Sequence, residues 1–356
     1  MAEKQAVMEI ASVREAIEWQ ARHAEEAGMP NTARVIRGLL PVVDGDTTVG
    51  LRMANWHGLT LRDAMPLRIH GGLHHLLLTG EDKRLEPVYA GLTTDQGQVD
   101  DIVVALVKKY DHQLLAWLDG PPQTNEAGRS ASLLAGLLWL GQRVPPRFEL
   151  LEIGASAGIN TMMHRFRFDL GGVLRGPPDS PVQLTPEWRG DPPPETNIQI
   201  ASIRGCDTAP IDLADPAEAL RLKSYVWPEA RGRMQRVDAA ARLAQESPPE
   251  VVRMDAMEFV CSALAEPQEE GTTRVLFHSI VWQYLPDFQQ EAIENAMAEA
   301  GAAASETRAL AWLTLETNRE TFRHELHARY WPGGEEPVLL GHAHPHGEWV
   351  EWLGVG

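Results

Sequence analysis

Hydrophobic and polar positions divide the chain into two regions. Up to about residue 120 the apolar residues recur at helical spacing. Val7, Ile10, Val13, Ile17 and Ala21 form one stripe. Leu67, Leu73, Leu76 and Leu77 form a second, and Ile102, Leu106, Tyr110, Leu114 and Trp117 a third. Few alternating β-branched runs interrupt them, so residues 1–120 are predicted to be a helical domain or cap. From residue 121 to 356 the pattern changes. Short apolar runs at 148–153, 198–203, 251–255, 274–281 and 309–316 read as five strands. Helical stretches separate them: one opening at Ile159, one over 217–244 with a break near Trp227-Pro228, and one over 287–300. Strands alternating with helices imply a parallel sheet with right-handed crossovers. Weak alternation at 166–172 and 182–188 predicts an inserted hairpin around 165–190. Residues 338–340 with Trp349 and Trp352 predict a closing antiparallel hairpin. No internal repeat is evident.

The first of these strands runs into the turn around which the second region is organised, in the stretch Phe148-Glu-Leu-Leu-Glu-Ile-Gly-Ala-Ser-Ala-Gly-Ile-Asn160. A strand, a small-residue turn and a helix open a nucleotide-binding α/β unit. Small residues let a backbone approach a ligand, and a helix N-terminus offers it free N–H groups. Three readings compete. A dinucleotide site wants G-x-G-x-x-G, which Gly154-Ala-Ser156-Ala-Gly158 does not supply. A nucleophile elbow wants G-x-S-x-G, which it matches literally. The third reading is the E-x-G-x-S-x-G turn to which class I methyltransferases bind the amino-acid part of S-adenosylmethionine; Glu152 favours it, since an elbow needs no acid there. A turn without any ligand is the plain alternative.

Ligands on parallel sheets bind beyond the strand C-terminal ends. Glu152, Asp207, Asp255, His278 and Glu316 all fall near predicted strand ends. An acid after the second strand is where two ribose hydroxyls are bound, because a carboxylate accepts both. Asp207 fits that place only if an insertion separates it from the glycine turn; Asp169 is nearer but lies in the predicted hairpin. Asp255 ends the third strand, at the position where methyltransferases commonly contact the adenine. His278 is a candidate general base and equally a core histidine satisfied by a carbonyl. Tyr284 is a candidate pocket residue or an anchor for the turn after it. Just before the site strand, the loop from Gly120 to Ser130 carries Gln123, Thr124, Asn125, Glu126 and Arg129. Asn125 and Arg129 are candidate cofactor contacts, Arg129 through its bidentate fork; a simple helix cap explains the loop equally well.

Composition narrows the partners. A chain of 356 residues exceeds one small core. A net charge of −18 repels polyanions, which argues against nucleic acid. Two cysteines, Cys206 and Cys261, point to reduced thiols and a cytoplasmic location. The N-terminus lacks an apolar signal core, and the longest apolar run, residues 133–140, is too short to span a bilayer. A small-molecule substrate is therefore expected, with no nucleic acid and no membrane; composition leaves the oligomeric state open.

Two further patterns compete for the chemistry. His70-Gly-Gly before the G-x-S-x-G, and His342, His344 and His346 after it, follow a hydrolase order, yet His70 lies in a Leu-rich helical stretch instead of after a strand. His342, His344 and His346, or His70 and His74 one helical turn apart, invite a metal, but Pro345 breaks the strand and no cysteine or carboxylate completes the set.

The motifs together resemble a bacterial family of uncharacterised proteins with a class I methyltransferase-like domain behind a helical N-terminal region. They are Gln123-Thr-Asn-Glu126 with Arg129, Leu151-Glu-Ile-Gly-Ala-Ser-Ala-Gly158 with Asn160, Arg204-Gly-Cys-Asp207 with Pro210, Val226-Trp-Pro228, the His278 strand, and His346-Gly347 with Trp349. The resemblance implies an α/β fold of Rossmann-like methyltransferase type, with a mostly parallel sheet and an N-terminal helical domain. It implies S-adenosylmethionine as cofactor, contacted by Glu152, Gly154, Ser156, Gly158, Asp207, Asp255, Arg129 and Asn125, with His278 and Tyr284 as catalytic candidates. Methyl transfer to a small molecule is the expected activity. The alternatives are ligand or partner binding without turnover on the same fold, and a serine hydrolase using Ser156.

Overall fold

A computed structural model describes residues 10, 12–58, 60 and 63–354. Val7, in the first predicted stripe, lies outside them. The chain separates into two compact units. One comprises residues 1–124 and 216–235, the other 125–215 and 236–356.

The first unit is helical. Its longer helices are Val13–Glu26, Pro30–Arg37, Met65–Leu78 and Gln96–Lys109. Ile17, Ile36, Leu73, Val103 and Leu114 are among the fully buried residues of its core. The third predicted stripe is broken: the helix ends at Lys109, Tyr110 leaves helical geometry, and Asp111–Leu115 and Ala116–Leu118 follow as short turns. Residues 216–235, which the sequence pattern left among the strands, belong to this unit. They dock through Tyr225 and Trp227, which pack against the helical core, and through polar bonds that no hydrophobic period announces. Met29 gives the helix Pro30–Arg37 no side-chain cap, and Glu229 accepts from Asn31 N at 3.2 Å and Thr32 N at 2.7 Å instead. The ring nitrogen His74 Nδ1 lies 3.1 Å from the Ser224 carbonyl.

The second unit holds a mixed α/β fold with twelve strands: β1 Arg147–Ile153, β2 Arg167–Leu170, β3 Val173–Arg175, β4 Gln183–Leu184, β5 Glu187–Arg189, β6 Gln199–Asp207, β7 Val251–Arg253, β8 Thr272–Ser279, β9 Arg308–Thr317, β10 His324–Trp331, β11 Gly334–Ala343 and β12 Trp349–Trp352. Nine form one sheet in the order β5-β12-β11-β10-β9-β8-β1-β6-β7. The strands from β7 to β9 run parallel, and β9, β10, β11 and β12 continue as an antiparallel meander. All five predicted strands are present. From β1 the chain adds β6 and β7 on one side, then β8 and β9 on the other. The order reverses between β1 and β8, a topological switch point.

Two expectations are corrected in detail. The predicted hairpin partner of residues 166–172 is wrong. β2 forms its hairpin with β3 and pairs parallel with β4 in a separate three-stranded sheet, while β5 joins the edge of the main sheet beside β12. Two residues, Gly171 and Gly172, both at positive φ, close the β2–β3 turn, and the short turn decides the pairing. The helix expected from Ile159 is only a 3₁₀ stretch, Asn160–Arg165. The closing hairpin of β11 and β12 is present, but β10 was not anticipated.

Both faces of the sheet are covered. Leu151, Ile153, Leu276, Leu310 and Trp312 pack with Phe259 and Val260 of the helix Ala256–Ala265 and with Ile293 and Met297 of Asp287–Ala302. On the other face lies Ser130–Leu140, apolar all round and wholly buried. Its Gly136 rests against β9, where an added Cβ would stand 2.5 Å from the Leu313 side chain.

Candidate functional site

The C-terminal end of β1 carries the most perturbed carboxylate of the second unit. Glu152 is 1% exposed. Burial, with the nearby Asp207 charge adding to it, pushes the carboxyl up to about 8, against the pull of an Asn160 hydrogen bond and the Arg129 charge. Asn160 Nδ2 donates to Glu152 Oε1 at 3.2 Å, and Asn160 Oδ1 accepts from Ser130 Oγ at 2.8 Å. Glu152 Oε2 is buried with no hydrogen-bond partner. A buried acceptor left in this state costs about 1–3 kcal/mol. A full complement of bonds is thus missing at one atom, at the end of the central strand.

The turn after β1 is closed by its own chain. Ala155 N donates to the Cys206 carbonyl at 2.9 Å, Ser156 N to Asp207 Oδ2 at 2.9 Å, Gly158 N to the Ala155 carbonyl at 2.8 Å, and Ile159 N to Asn125 Oδ1 at 2.7 Å. Gly154, Ser156 and Gly158 all have positive φ. A Cβ on Gly154 would stand 2.3 Å from Val281, and one on Gly158 would stand 2.7 Å from Val251. These glycines are required by the neighbouring strands' residues as well as by their own dihedrals. Val281 follows Ile280, a β-branched residue at φ 54°, which costs about 1–3 kcal/mol and marks a segment held in place by its surroundings.

Asp207 ends β6 beside this turn. It is half-buried, with Oδ2 on Ser156 N and Oδ1 on Ala209 N at 2.8 Å, and each oxygen keeps a further lone pair. Asp169 instead closes the β2–β3 turn, accepting from Gly172 N at 2.8 Å. Asp255 caps the helix Ala256–Ala265 through Met257 N and Glu258 N, and Gln289 Nε2 donates to its other oxygen at 2.6 Å.

The loop before the helix Ser130–Leu140 is buried at Asn125, Glu126 and Arg129. Arg129 donates from Nε to the Pro345 carbonyl at 2.9 Å and from Nη1 to the Ser279 carbonyl at 3.1 Å. Glu126 pairs with Arg236 at 2.8 Å, and Arg236 also donates to the His346 carbonyl at 3.1 Å. Gly128 and Gly347 lie back to back, and a Cβ on Gly347 would stand 2.4 Å from Gly128 Cα. The two motif loops are therefore one clamp over the ends of β1 and β8.

A second group sits at the ends of β8 and β9. Trp312 Nε1 donates to His278 Nε2 at 3.0 Å, so His278 Nδ1 carries the hydrogen and donates to Glu316 Oε1 at 2.7 Å. Glu316 Oε1 also accepts from Val281 N at 3.0 Å and Trp282 N at 3.3 Å. Trp282 stacks on His278 at 5.1 Å. Tyr284 is 70% exposed.

Two of the C-terminal histidines lie beside different carboxylates, and His344 and His346 meet each other. His342 Nδ1 lies 3.3 Å from Glu351, His344 Nε2 lies 3.7 Å from Glu348, and His346 N donates to His344 Nδ1 at 3.2 Å. Among the described residues no group of three or more His, Cys, Asp or Glu is arranged to hold a metal, and no helix is long and apolar enough to cross a membrane.

Of the predicted residues, Glu152, Asp207, Ser156, Asn125 and Arg129 come together around the turn, and His278 with Glu316 forms the second group. Asp255 stands as a cap and Tyr284 on the surface. Sequence reasoning gave no role to Asn160, Ser130 or Trp312. Asn160 lies within a quoted motif, at the eighth residue after Glu152, but nothing in the pattern says that the intervening turn folds back.

No curated protein and no solved structure matches the chain. Residues 14–352 match the model of a family described as uncharacterized protein conserved in bacteria (DUF2332), and the chain belongs to that family.

Proposed function

We propose that the protein is an S-adenosylmethionine-dependent methyltransferase acting on a small molecule. One observation carries the reading: the buried Oε2 of Glu152, without a partner at the switch point of the sheet. An ammonium is the group that such an atom accepts best, and the methionine moiety provides one. Asp207 supports the reading, with lone pairs left for ribose hydroxyls at the neighbouring strand end. The strand order β7-β6-β1-β8-β9 supports a Rossmann-like, methyltransferase-type sheet. When bound, the cofactor supplies an electrophilic methyl group on a sulfonium.

The chain's contribution is positioning. Glu152 orients the ammonium, held in turn by Asn160 and Ser130. Asn125 and Arg129 fix the turn and the clamp; their bonds run to Ile159 N and to two carbonyls. Gly154 and Gly158 shape the turn against Val281 and Val251. His278 acts through Glu316, which holds the backbone of Val281 and Trp282, and is a positioning residue in this scheme.

A second reading is ligand binding without turnover. It is favoured by His278, whose two ring nitrogens are both engaged. Calorimetry with S-adenosylmethionine, S-adenosylhomocysteine and NAD tests the main reading. The first two are expected to bind and NAD not to. A ligand at 100 times its Kd stabilises by about 2.7 kcal/mol, which thermal unfolding detects. No binding of either adenosyl ligand sinks the main reading. Binding with no methyl transfer to any acceptor leaves the second.

A further inference from the structure

A pocket of about 300 Å³ opens between β8, β9 and β10 of the second unit, under the helix Asp287–Ala302. That is the low end of small-ligand sites. Trp282, Trp312, Ala328 and Pro337 supply its apolar walls. The two indoles meet edge to face, 5.4 Å apart at 67°. His278 stacks on one face of the half-buried Trp282, which leaves its other face for a flat ring with an edge toward Trp312.

Arg329 reaches into the same pocket from β10. Its guanidinium lies 4.3 Å over the Trp312 ring and 5.0 Å over Trp331. Among the described residues it forms no ion pair within 4.0 Å and no hydrogen bond through its side chain. A half-buried guanidinium offers five donors in a planar fork, and here the protein fills none. Other charges do not answer it. Glu294 and Glu336 feel its charge but are exposed and solvated. Glu316 also lines the pocket, its Oε1 on His278 and two backbone N–H groups. His327 lies 3.8 Å from Glu325.

We propose that this pocket binds a small planar carboxylate, its ring in the tryptophan corner and its two oxygens on the Arg329 fork. A bidentate pair matches carboxylate geometry. A cationic ligand is disfavoured, because Arg329 already occupies the Trp312 face. The proposal does not depend on S-adenosylmethionine.

The test is calorimetry on the full chain with benzoate, its neutral isostere benzamide, and acetate. Benzoate is expected to bind saturably at millimolar concentration, benzamide about tenfold or more weakly, the step expected for one charge-assisted pair, and acetate more weakly than benzoate because it lacks the ring. Arg329→Gln should abolish the preference for benzoate over benzamide, while Arg329→Lys should keep part of it. Glu294→Gln should tighten benzoate by removing a like charge at the rim. Melting temperatures identify a misfolded variant; if Arg329→Gln fails to fold, benzamide and Arg329→Lys carry the comparison. No saturable benzoate heat, equal affinity for benzoate and benzamide, or an unchanged preference in Arg329→Gln overturns the proposal. Acetate binding as tightly as benzoate overturns its planar-ring half.

Discussion

Binding at Glu152 should be coupled to proton release. The free protein holds this carboxyl at about 8, so near pH 7 it is mostly protonated. An ammonium ligand requires the carboxylate, and binding therefore expels a proton. Below pH 8 the population able to bind grows nearly tenfold per pH unit, about 1.4 kcal/mol each. Above pH 8 the carboxylate is already formed, and affinity should level off there. Calorimetry in two buffers of different ionisation enthalpy measures the proton directly. At pH 7 close to one proton should leave per ligand, and affinity for S-adenosylhomocysteine should rise nearly tenfold from pH 6 to pH 7. Glu152→Gln should weaken binding about tenfold to a hundredfold at pH 8 and remove the rise below it. The same variant carries a second sign. A folded pKa raised from 4.5 to about 8 means stability that is full below 4.5 and lost as pH rises through 8. The shift is on the order of 5 kcal/mol at most. Glu152→Gln should therefore unfold at a higher temperature than the parent at pH 8 and show no such gain at pH 4. Equal heats in both buffers, with an affinity flat from pH 6 to pH 7, would refute the assignment of the ammonium to Glu152.

Two other predictions test the surroundings of the site and the helical unit. Gly347→Ala puts a Cβ 2.4 Å from Gly128 Cα at φ 72° and should destabilise by about 2–4 kcal/mol, overpacking and dihedral strain together; Gly271→Ala, at φ 79° with open space around it, should cost only about 1 kcal/mol in denaturant titrations, and equal losses would show that the loop contact is immaterial. His70 and His74 are driven by burial down to about 3 and about 4, so their stability contribution is present above pH 6.5 and lost as pH falls toward 3–4; amide protection in the helix Met65–Leu78, taken relative to the intrinsic exchange rate at each pH, should fall over that window, and less in His70→Gln, which removes one of the two titrating rings.

The fold was legible where burial is continuous. β1, β8 and β9 lie in the middle of the sheet, and their apolar runs mark them without alternation. β10 reads His-Glu-Leu-His-Ala-Arg-Tyr-Trp; only three of its eight positions are buried, and the pattern gave no strand. Because β10 was not seen, neither was Arg329, and the pocket beside Trp312 had no counterpart in the sequence. Residues 216–235 escaped for another reason. Beside the packing of Tyr225 and Trp227 on the helical core, Glu229 holds two backbone N–H groups and a carbonyl meets His74, and polar docking over nearly two hundred residues leaves no periodicity to read.

At the site the motif spelling named residues that come together around the turn, and left open what the small residues pack against. A glycine in a strand–turn–helix motif has two physical uses, to admit a ligand or to admit the protein's own side chains, and the letters do not distinguish them. Gly154 and Gly158 face Val281 and Val251, residues more than ninety positions away, so their use depends on where β7 and β8 come to rest. The carboxylate is different. Glu152 is buried by a turn whose N–H groups find partners elsewhere in the chain, at Cys206, Asp207, Ala155 and Asn125. Satisfying the turn internally is what leaves Oε2 as the atom with an open bond. The closure of the glycine turn and the exposed demand of Glu152 are thus one arrangement. A ligand at this strand end is to be sought on the carboxylate side of the turn, where Asp207 also keeps lone pairs.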